Sequence, residues 1–313
     1  MPNHPPWTFA FDPLVPLHLP RADAWIGFNC LATAQGLVRR RCGLVRRVVH
    51  WNVDFVPNRF GSGPLTKAYE WLDRSCCTQS DGRVELSSAA RDGRLAAYHL
   101  DPLSCPAEII PMGAWNQESP KAGLANLANP RIVFLGHLVE RMGLPLLVGV
   151  LSRLRSLGKP VCADVVGGGP LLEDLKRWVA EQHLGDLVTI HGFVKDFDVV
   201  ERILAGAAVA VAPYEVDHTS FSRFADPGKL KAYLSAGLPI LLTDVPPNAG
   251  EMAQLGGASV VRPDESAFAA EIMALLSSPT EWRRRHRAAL EYALRFDWET
   301  LFATALPRLG IAL

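Results

Sequence analysis

The sequence predicts an α/β protein with two Rossmann-like, doubly wound domains that face a cleft. Three observations lead to this fold class. Short apolar runs alternate with amphipathic helical periodicity from about residue 131 onward, and the first 115 residues show the same alternation less completely. A polar stretch rich in Pro, Gly and Asn, residues 116–130, lies between the two halves and is typical of a linker. Alternation of this kind is typical of a parallel sheet covered by helices on both faces.

The second half contains six predicted strands, each only a few apolar residues long. They are "RIVFLG", "PVCADVVG", "LVTIHGF", "AVAVAPY", "PILLTDV" and "ASVVRP". Amphipathic segments such as "LPLLVGVLSRLRSLG" and "PLLEDLKRWVAEQHLG" separate them. We assign residues 128–295 to this domain. In such a sheet, ligands bind beyond the carboxyl ends of the strands.

The first half, residues 1–120, contains fewer elements. Strands are predicted at "DAWIGF", "VRRVVHWNV" and "AEIIPMG", and helices at "LATAQGLVRRRCG" and "PLTKAYEWLDRSCC". The chain begins with the Pro-rich stretch "MPNHPPWTFAFDPLVPLHLP", which lacks the basic and then apolar layout of a signal peptide.

The composition argues against some classes of partner. Lys plus Arg and Asp plus Glu both number 32, so no positive excess exists for binding nucleic acid. The six cysteines form no C-x-x-C pair and indicate free thiols in a reducing compartment. Because no apolar run reaches the length of a membrane span, we expect a cytoplasmic protein, with peripheral association at the inner membrane face as an open alternative.

The stretch "FADPGKLKAYLSAGLPILLTD" combines a helix start, a helix stop and a buried strand. Asp226 suits an N-cap, Pro227 the first helical position, and Gly237 the C-terminal stop. A capped helix explains all of these residues. A second interpretation is a phosphate cradle, because the helix N-terminus follows the strand "AVAVAPY", Gly228 permits close approach and Lys229 adds a positive charge. The residues alone leave both interpretations open.

Two further loops follow predicted strands. The run "DVVGGGP", which contains Gly168, permits a tight turn and the close approach of a ligand, but it is neither G-x-G-x-x-G nor a P-loop. The segment "FLGHLVERMG" places Gly136, His137, Glu140 and Arg141 after a strand. These polar residues either reach the cleft or are solvated loop residues.

The first half offers one candidate for acid–base chemistry, in "VVHWNVDFVPNRF". His50 is a candidate acid or base and Asp54 its partner. The alternative is a packed core histidine, which is the commoner role of a single His in a strand.

The basic run "VRRRCGLVRR" suits either anionic lipid or a solvated helix end, and we favour the solvated helix end.

These segments, in this order, resemble the GT-B glycosyltransferases, in particular retaining family 4. The run from "VVGGGPLLEDLKRW" to "AVAVAPY" resembles the donor domain of that family over its whole length. "DPGKLKAYLSAGLPIL" is similar to the pattern P-x-K-L-x-E-Y-M-A-x-G-x-P. "FDWETLF" resembles the closing helix of the family, so the resemblance implies that residues 296–313 return toward the first domain.

The resemblance implies a hexosyltransferase-like enzyme that uses a nucleoside-diphosphate sugar as its substrate, with no separate cofactor and no metal. The diphosphate would meet residues 226–229 and Arg141, near the strand-end glycines Gly136 and Gly168. The base would lie near Gly192 and Phe193. The acceptor would be a glycan, a lipid-linked molecule or a small molecule, and transfer would proceed with retention.

The sequence also departs from the family pattern. Ala232 stands where the ribose-binding Glu is expected, His137 and Met142 stand where Arg and Lys are common, and Val53 replaces the His of a His-Asp pair that ends at Asp54. The first domain is shorter than expected, which predicts either a truncated sequence or a reduced homologue. A degenerate homologue that only binds a nucleotide sugar or a partner, and a nucleotide-sugar epimerase, therefore remain alternatives.

Overall fold

The structure, a computed structural model, describes residues 20–103, 105–216 and 221–311, which divide into two units. The first unit comprises residues up to 111, residues 224–226 and residues from 301 onward, and the second comprises residues 112–223 and 227–300. The Pro-rich start of the sequence lies outside the described residues.

The first unit contains a four-stranded sheet with the order β1-β2-β3-β4 and every neighbouring pair parallel. Its strands are β1 (Ala22–Phe28), β2 (Val45–Trp51), β3 (Gly82–Glu85) and β4 (Glu108–Ile109). Its helices are α1 (Cys30–Arg41), α2 (Pro64–Gln79) and α3 (Ser88–Tyr98). Ala305, in a helix near the end of the chain, and Leu309, just after that helix, pack in one apolar cluster with Val49 and Val84 of the sheet.

The second unit contains a six-stranded parallel sheet with the order β10-β9-β8-β5-β6-β7. Its strands are β5 (Arg131–Leu135), β6 (Cys162–Val166), β7 (Val188–Gly192), β8 (Val209–Ala212), β9 (Ile240–Leu242) and β10 (Ser259–Val260). Its helices are α4 (Leu144–Ser156), α5 (Leu172–Glu181), α6 (Phe197–Ala205), α7 (Gly228–Ser235), α8 (Ala249–Leu255), α9 (Glu265–Leu276) and α10 (Pro279–Ala293). Helix α11 (Trp298–Arg308) starts in the second unit, and its residues from 301 onward belong to the first. All residues of β8 and β9 are buried, which explains their unbroken apolar sequences.

The predicted α/β fold with parallel sheets is confirmed, including all six strands of the second half. Strand β3 and helix α3 of the first half were not predicted. The strand reads Gly-Arg-Val-Glu, and its two charged side chains, Arg83 and Glu85, are buried. Arg94 of α3 donates from Nε to Oε1 of Glu85 at 2.8 Å, so an ion pair made by the fold offsets the cost of burying the carboxylate.

Helix α7 begins one residue later than the sequence predicted. Pro227 is its N-cap, with extended backbone (φ −69°, ψ 117°), and no side chain caps the helix. The prediction that Asp226 is the N-cap and Pro227 the first helical residue is therefore wrong. Gly237 does end the helix as predicted: its φ is +70°, its N–H donates to Leu234 O at 2.9 Å, and Leu238 N–H donates to Tyr233 O at 3.0 Å.

The Gly-Gly-Gly run after β6 is required by close backbone packing. A Cβ on Gly167, whose φ is +146°, would lie 1.8 Å from the carbonyl oxygen of Gly136, and a Cβ on Gly169 would lie 2.4 Å from that of Leu138. Only glycine permits such contacts. The run therefore holds the loop after β6 against the loop after β5.

The six cysteines are free thiols, as predicted. Cys42 is exposed, whereas Cys30, Cys76, Cys77 and Cys105 are buried. Across the described residues, no helix is both long and apolar enough to cross a membrane.

We predict that Gly167→Ala lowers the free energy of unfolding by at least about 2 kcal/mol, because the methyl group collides with backbone that cannot move aside. The matched control is Gly185→Ala, where no atom lies within 4 Å of the added Cβ and a change of less than about 0.5 kcal/mol is expected. Urea unfolding followed by circular dichroism measures both. Equal stability of the two variants would contradict the close packing.

Candidate functional site

The carboxyl edge of the second sheet brings together several of the residues predicted to bind the donor. Because all strands are parallel, the loops after β5, β6 and β8 leave the sheet at the same edge. Tyr233 of α7 fixes the helix to this edge: Leu135 N–H donates to Tyr233 Oη at 2.6 Å, and Tyr233 Oη donates to Val211 O at 3.3 Å. Helix α7 is thus held against the ends of β5 and β8.

The Lys229 side chain lies over this edge with its amino group among apolar and aromatic atoms. Nζ is 4.2 Å from the ring centroid of Tyr214, 4.7 Å from that of Phe134 and 3.5 Å from Sδ of Met142. It also lies 3.5 Å from where a Cβ on Gly136 would stand, so glycine keeps the space beside the amino group open.

Within the part of the chain that the structure describes, no carboxylate pairs with Lys229. Burial of the amino group lowers its pKa to about 7. A cation in this position gains from the ring faces but lacks a counter-ion. An anion beside the amino group would supply that counter-ion.

Four further predicted donor residues lie at or near the same edge of the second unit: Arg141, Gly168, Gly192 and Phe193. Gly168 approaches Phe193, since a Cβ on Gly168 would lie 3.2 Å from Phe193 Cβ. Gly192 ends the edge strand β7 with φ +67°, and the Phe193 side chain is 81% exposed. Arg141 is half-buried on the short turn that follows β5. The structure therefore places Gly136 beside Lys229, and Gly168 beside Phe193.

Asp226 belongs to the first unit, where its side chain is buried. Its predicted part in binding the donor stays a prediction.

His50 is fully buried in β2, with both ring nitrogens in polar contacts. Nδ1 lies 2.7 Å from Thr33 Oγ1, and Nε2 lies 3.1 Å from Asp73 Oδ1. Burial lowers the pKa of this imidazole, which favours the neutral ring. These contacts favour the alternative of a packed core histidine and speak against His50 as an accessible acid or base.

Asp73 is the centre of this buried network. Arg94 Nη1 and Tyr98 Oη donate to its Oδ2, the second at 2.8 Å. Burial alone would raise the pKa of Asp73, but Arg94 and the other donors bring it down to about 2. His50, Asp73 and Cys77 stand close enough to form a metal site, with ligand atoms within 4.8 Å of one another. The Arg94 guanidinium already neutralises the carboxylate, so we interpret the cluster as a structural ion-pair network.

Asp54 lies beyond the end of β2 and forms an ion pair with Arg59. Its side chain is 41% exposed, so it is accessible, and its catalytic role stays a prediction.

The basic run is engaged within the first unit. Arg39 stacks on Trp25 with 5.4 Å between its Cζ and the ring centroid, Arg40 pairs with Asp81, and Arg47 donates to Leu309 O at 2.7 Å. These contacts speak against the lipid-binding interpretation, and the buried Arg39 also departs from the solvated helix end that the sequence favoured.

The aromatic residues around Lys229 were not recognised as site residues from the sequence. Phe134, Tyr214 and Tyr233 are buried and belong to the core cluster of the second unit. In the sequence they are ordinary apolar positions of a strand, a strand end and a helix, and no local signal separates them from other core residues.

Residues 129–278 match the family model described as "Glycosyl transferases group 1". This segment is similar to a group 1 glycosyltransferase domain. The matched segment extends from β5 through α9 and includes Lys229 and each of the residues that surround it. No curated protein matches the chain in a sequence comparison.

Several solved structures are similar to this chain over most of its length. Sucrose-phosphate synthase from Thermosynechococcus elongatus is 17% identical with a TM-score of 0.71, and the alignment covers 92% of this chain and 72% of that one. The Anabaena protein HepE in complex with UDP and glucose is 14% identical with a TM-score of 0.71, covering 92% and 77%. A glycosyltransferase from Rickettsia africae is 14% identical with a TM-score of 0.71, covering 99% and 82%. The predicted GT-B fold is thereby confirmed.

We predict that His50→Ala lowers the free energy of unfolding by about 2–4 kcal/mol, because it removes two buried contacts and leaves a cavity. Thermal and urea unfolding measure the effect. The control is the exposed His183→Asn, which keeps a residue tolerant of the positive φ at this position and is expected to change stability by less than about 0.5 kcal/mol. A His50→Ala protein of unchanged stability would refute the structural role.

Proposed function

We propose that the protein transfers a sugar from a nucleoside-diphosphate-sugar donor to a glycan, a lipid-linked molecule or a small-molecule acceptor, with retention of anomeric configuration. The observation that carries this proposal is the Lys229 amino group, held at the carboxyl edge of the glycosyltransferase-like domain without a carboxylate partner among the described residues. The similarity to HepE, which was solved with UDP and glucose, supports a nucleotide sugar as the donor.

In this mechanism the domain stabilises the diphosphate leaving group. Negative charge grows on the diphosphate as its bond to the sugar breaks, and the Lys229 ammonium is already in place to stabilise it. No side chain caps the N-terminus of α7. Its first backbone N–H groups would donate to a phosphate, and the positive end of the helix dipole lies at the same place. Gly228 and Gly136 leave room for the phosphates to approach the backbone.

The other donor contacts are proposed for residues at or near the carboxyl edge of the second sheet. We place the base on the exposed ring of Phe193 next to Gly192, where a flat ring can stack, and Arg141 within reach of the diphosphate. Asp54 is our candidate residue on the acceptor side.

We also propose that the protein acts at the inner membrane face. Sedimentation of the protein with anionic vesicles tests this proposal.

The proposed reaction is tested with the purified chain and a panel of UDP-, GDP- and ADP-hexoses. Transfer to a glycan, lipid-linked or small-molecule acceptor is expected from one donor, and the proton coupling constant of the new linkage reports the anomeric configuration. Nucleotide binding without transfer or release of nucleotide would favour the alternative of a degenerate binding homologue. Absence of binding to every donor in the panel would refute the proposed function.

We predict that Lys229→Met weakens binding of UDP, or of the nucleoside diphosphate of whichever donor is active, by roughly 10- to 100-fold. This corresponds to the loss of a charge-assisted hydrogen bond. Met fits the apolar surroundings of the amino group, so stability is expected to be retained. The control is Lys159→Met, at an exposed position between α4 and β6. Isothermal titration calorimetry measures both affinities, and equal affinity in the two variants would remove Lys229 from the site.

We predict that nucleotide affinity falls as pH rises above 7. The unliganded amino group has a pKa of about 7, and an anion binds its protonated form and raises that pKa. Binding should weaken by up to about tenfold per pH unit between pH 7 and the higher pKa of the complex. The nucleotide phosphate, with a second pKa of about 6, is already ionised in this range. Calorimetry across pH 7 to about 9.5 checks the slope, and Lys229→Met should abolish it.

A further inference from the structure

A cavity of about 190 Å³ lies between helices α6 and α7, separate from the aromatic surroundings of Lys229. We call it the α6–α7 cavity. Residues Gly228, Ala232 and Ser235 line it from one face of α7, and Phe197 and Glu201 line it from α6. One water molecule occupies about 30 Å³ in the liquid, so the volume of the cavity corresponds to about six waters. It is therefore large enough for one small ring and too small for a whole nucleotide sugar.

Three aromatic side chains line the α6–α7 cavity beside small and aliphatic residues. The Trp115 and Phe197 side chains line it while remaining more than half exposed, and Trp298 closes another side. Trp298 packs directly on Gly113, where a Cβ would lie 2.5 Å from a ring atom. Aromatic faces of this kind pack against the C–H faces of a sugar or against a base.

Glu201 presents a carboxylate to this aromatic space. Its Oε1 accepts a hydrogen bond from Ser119 Oγ at 2.5 Å, which fixes the position of the side chain. Its Oε2 has no protein donor among the described residues, so one oxygen remains available to accept from a ligand.

Ser235 supplies a second, independent indication of a ligand. Its side chain lines the cavity and is only 2% exposed, yet its Oγ has no hydrogen-bond partner among the described residues. A buried hydroxyl without a partner costs free energy, and a ligand hydroxyl in the cavity would satisfy it. Ala232, between Gly228 and Ser235 on the same face of α7, is small enough to leave the space open.

We propose that the α6–α7 cavity binds a sugar ring that carries vicinal hydroxyls, with Glu201 accepting from the diol and Ser235 completing the contact. An anionic carboxylate can accept from both hydroxyls of a diol. Two sources have this chemistry: the ribose of the donor nucleotide and a saccharide that binds on its own. The ribose source rests on the proposed function, whereas the saccharide source stands without it.

The test compares UDP, 2′,3′-dideoxy-UDP, D-ribose and D-glucose as probes, with affinities measured by calorimetry and by tryptophan fluorescence. The decisive variant is Glu201→Gln, which keeps an amide oxygen to accept from Ser119 but loses the negative charge and the second acceptor. Ser235→Ala removes only an unpartnered hydroxyl, so its unfolding midpoint should not fall. Glu291→Gln, at an exposed position of α10, is the matched control.

If ribose is the occupant, Glu201→Gln weakens UDP binding roughly tenfold, as expected for a charge-assisted hydrogen bond, and leaves dideoxy-UDP binding unchanged. If a separate saccharide is the occupant, both variants lose glucose or ribose binding while UDP binding stays at the control level. Unchanged affinity for all four probes in both variants would overturn the proposal. Failure of the native chain to bind UDP, GDP and ADP, with saccharide binding retained and sensitive to Glu201→Gln, would refute the proposed donor while supporting the cavity.

Discussion

The arrangement of the donor edge depends on one close contact, the approach of Gly167 to the carbonyl of Gly136. At this contact the loops that follow β5 and β6 touch backbone to backbone, with no side chain between them. Gly136 N–H also donates to Val166 O at 3.0 Å, so the end of β5 is tied to the end of β6. The same glycine faces the Lys229 amino group. A bulkier residue would therefore disturb both the packing of the sheet edge and the space in which an anion meets the lysine.

The two units use charge in opposite ways. In the first unit, Asp73 and Glu85 are buried and both meet Arg94, and Glu85 also pairs with Arg83 at 3.8 Å. Two cations therefore face two carboxylates, and these pairs fix β3 and α3 in place. In the second unit, Lys229 is surrounded by rings and a thioether and meets no carboxylate within the described chain. A balanced buried pair specifies structure, whereas a half-buried cation without a carboxylate partner has an unmet electrostatic demand that a ligand can satisfy.

Much of the fold could be predicted from the sequence because the second sheet is buried on both faces. Strands such as β8 and β9 are then unbroken apolar runs, and Gly237 marks the end of α7 by its positive φ. Strand β3 escaped prediction because its Arg and Glu are buried by partners that only the fold supplies. Lys229 was found through its helix start, but Tyr214 and Glu201 come from separate elements, and nothing in their local sequence indicates which cavity they will face. The start of α7 was misplaced because an extended Pro227 delays the helix by one residue.

The cysteines differ in burial and therefore in their reactivity toward thiol reagents. Burial raises the pKa of Cys30 and of Cys77 to about 12 and also raises the pKa of Cys76 and of Cys105, so these sulfurs stay protonated and shielded at neutral pH. Cys42, at the end of α1, is exposed. A maleimide dye or a surface-coupling reagent should therefore attach first at Cys42, which belongs to the first unit, whereas Lys229 belongs to the second. The native chain thus offers an attachment point for immobilised binding measurements without an engineered cysteine.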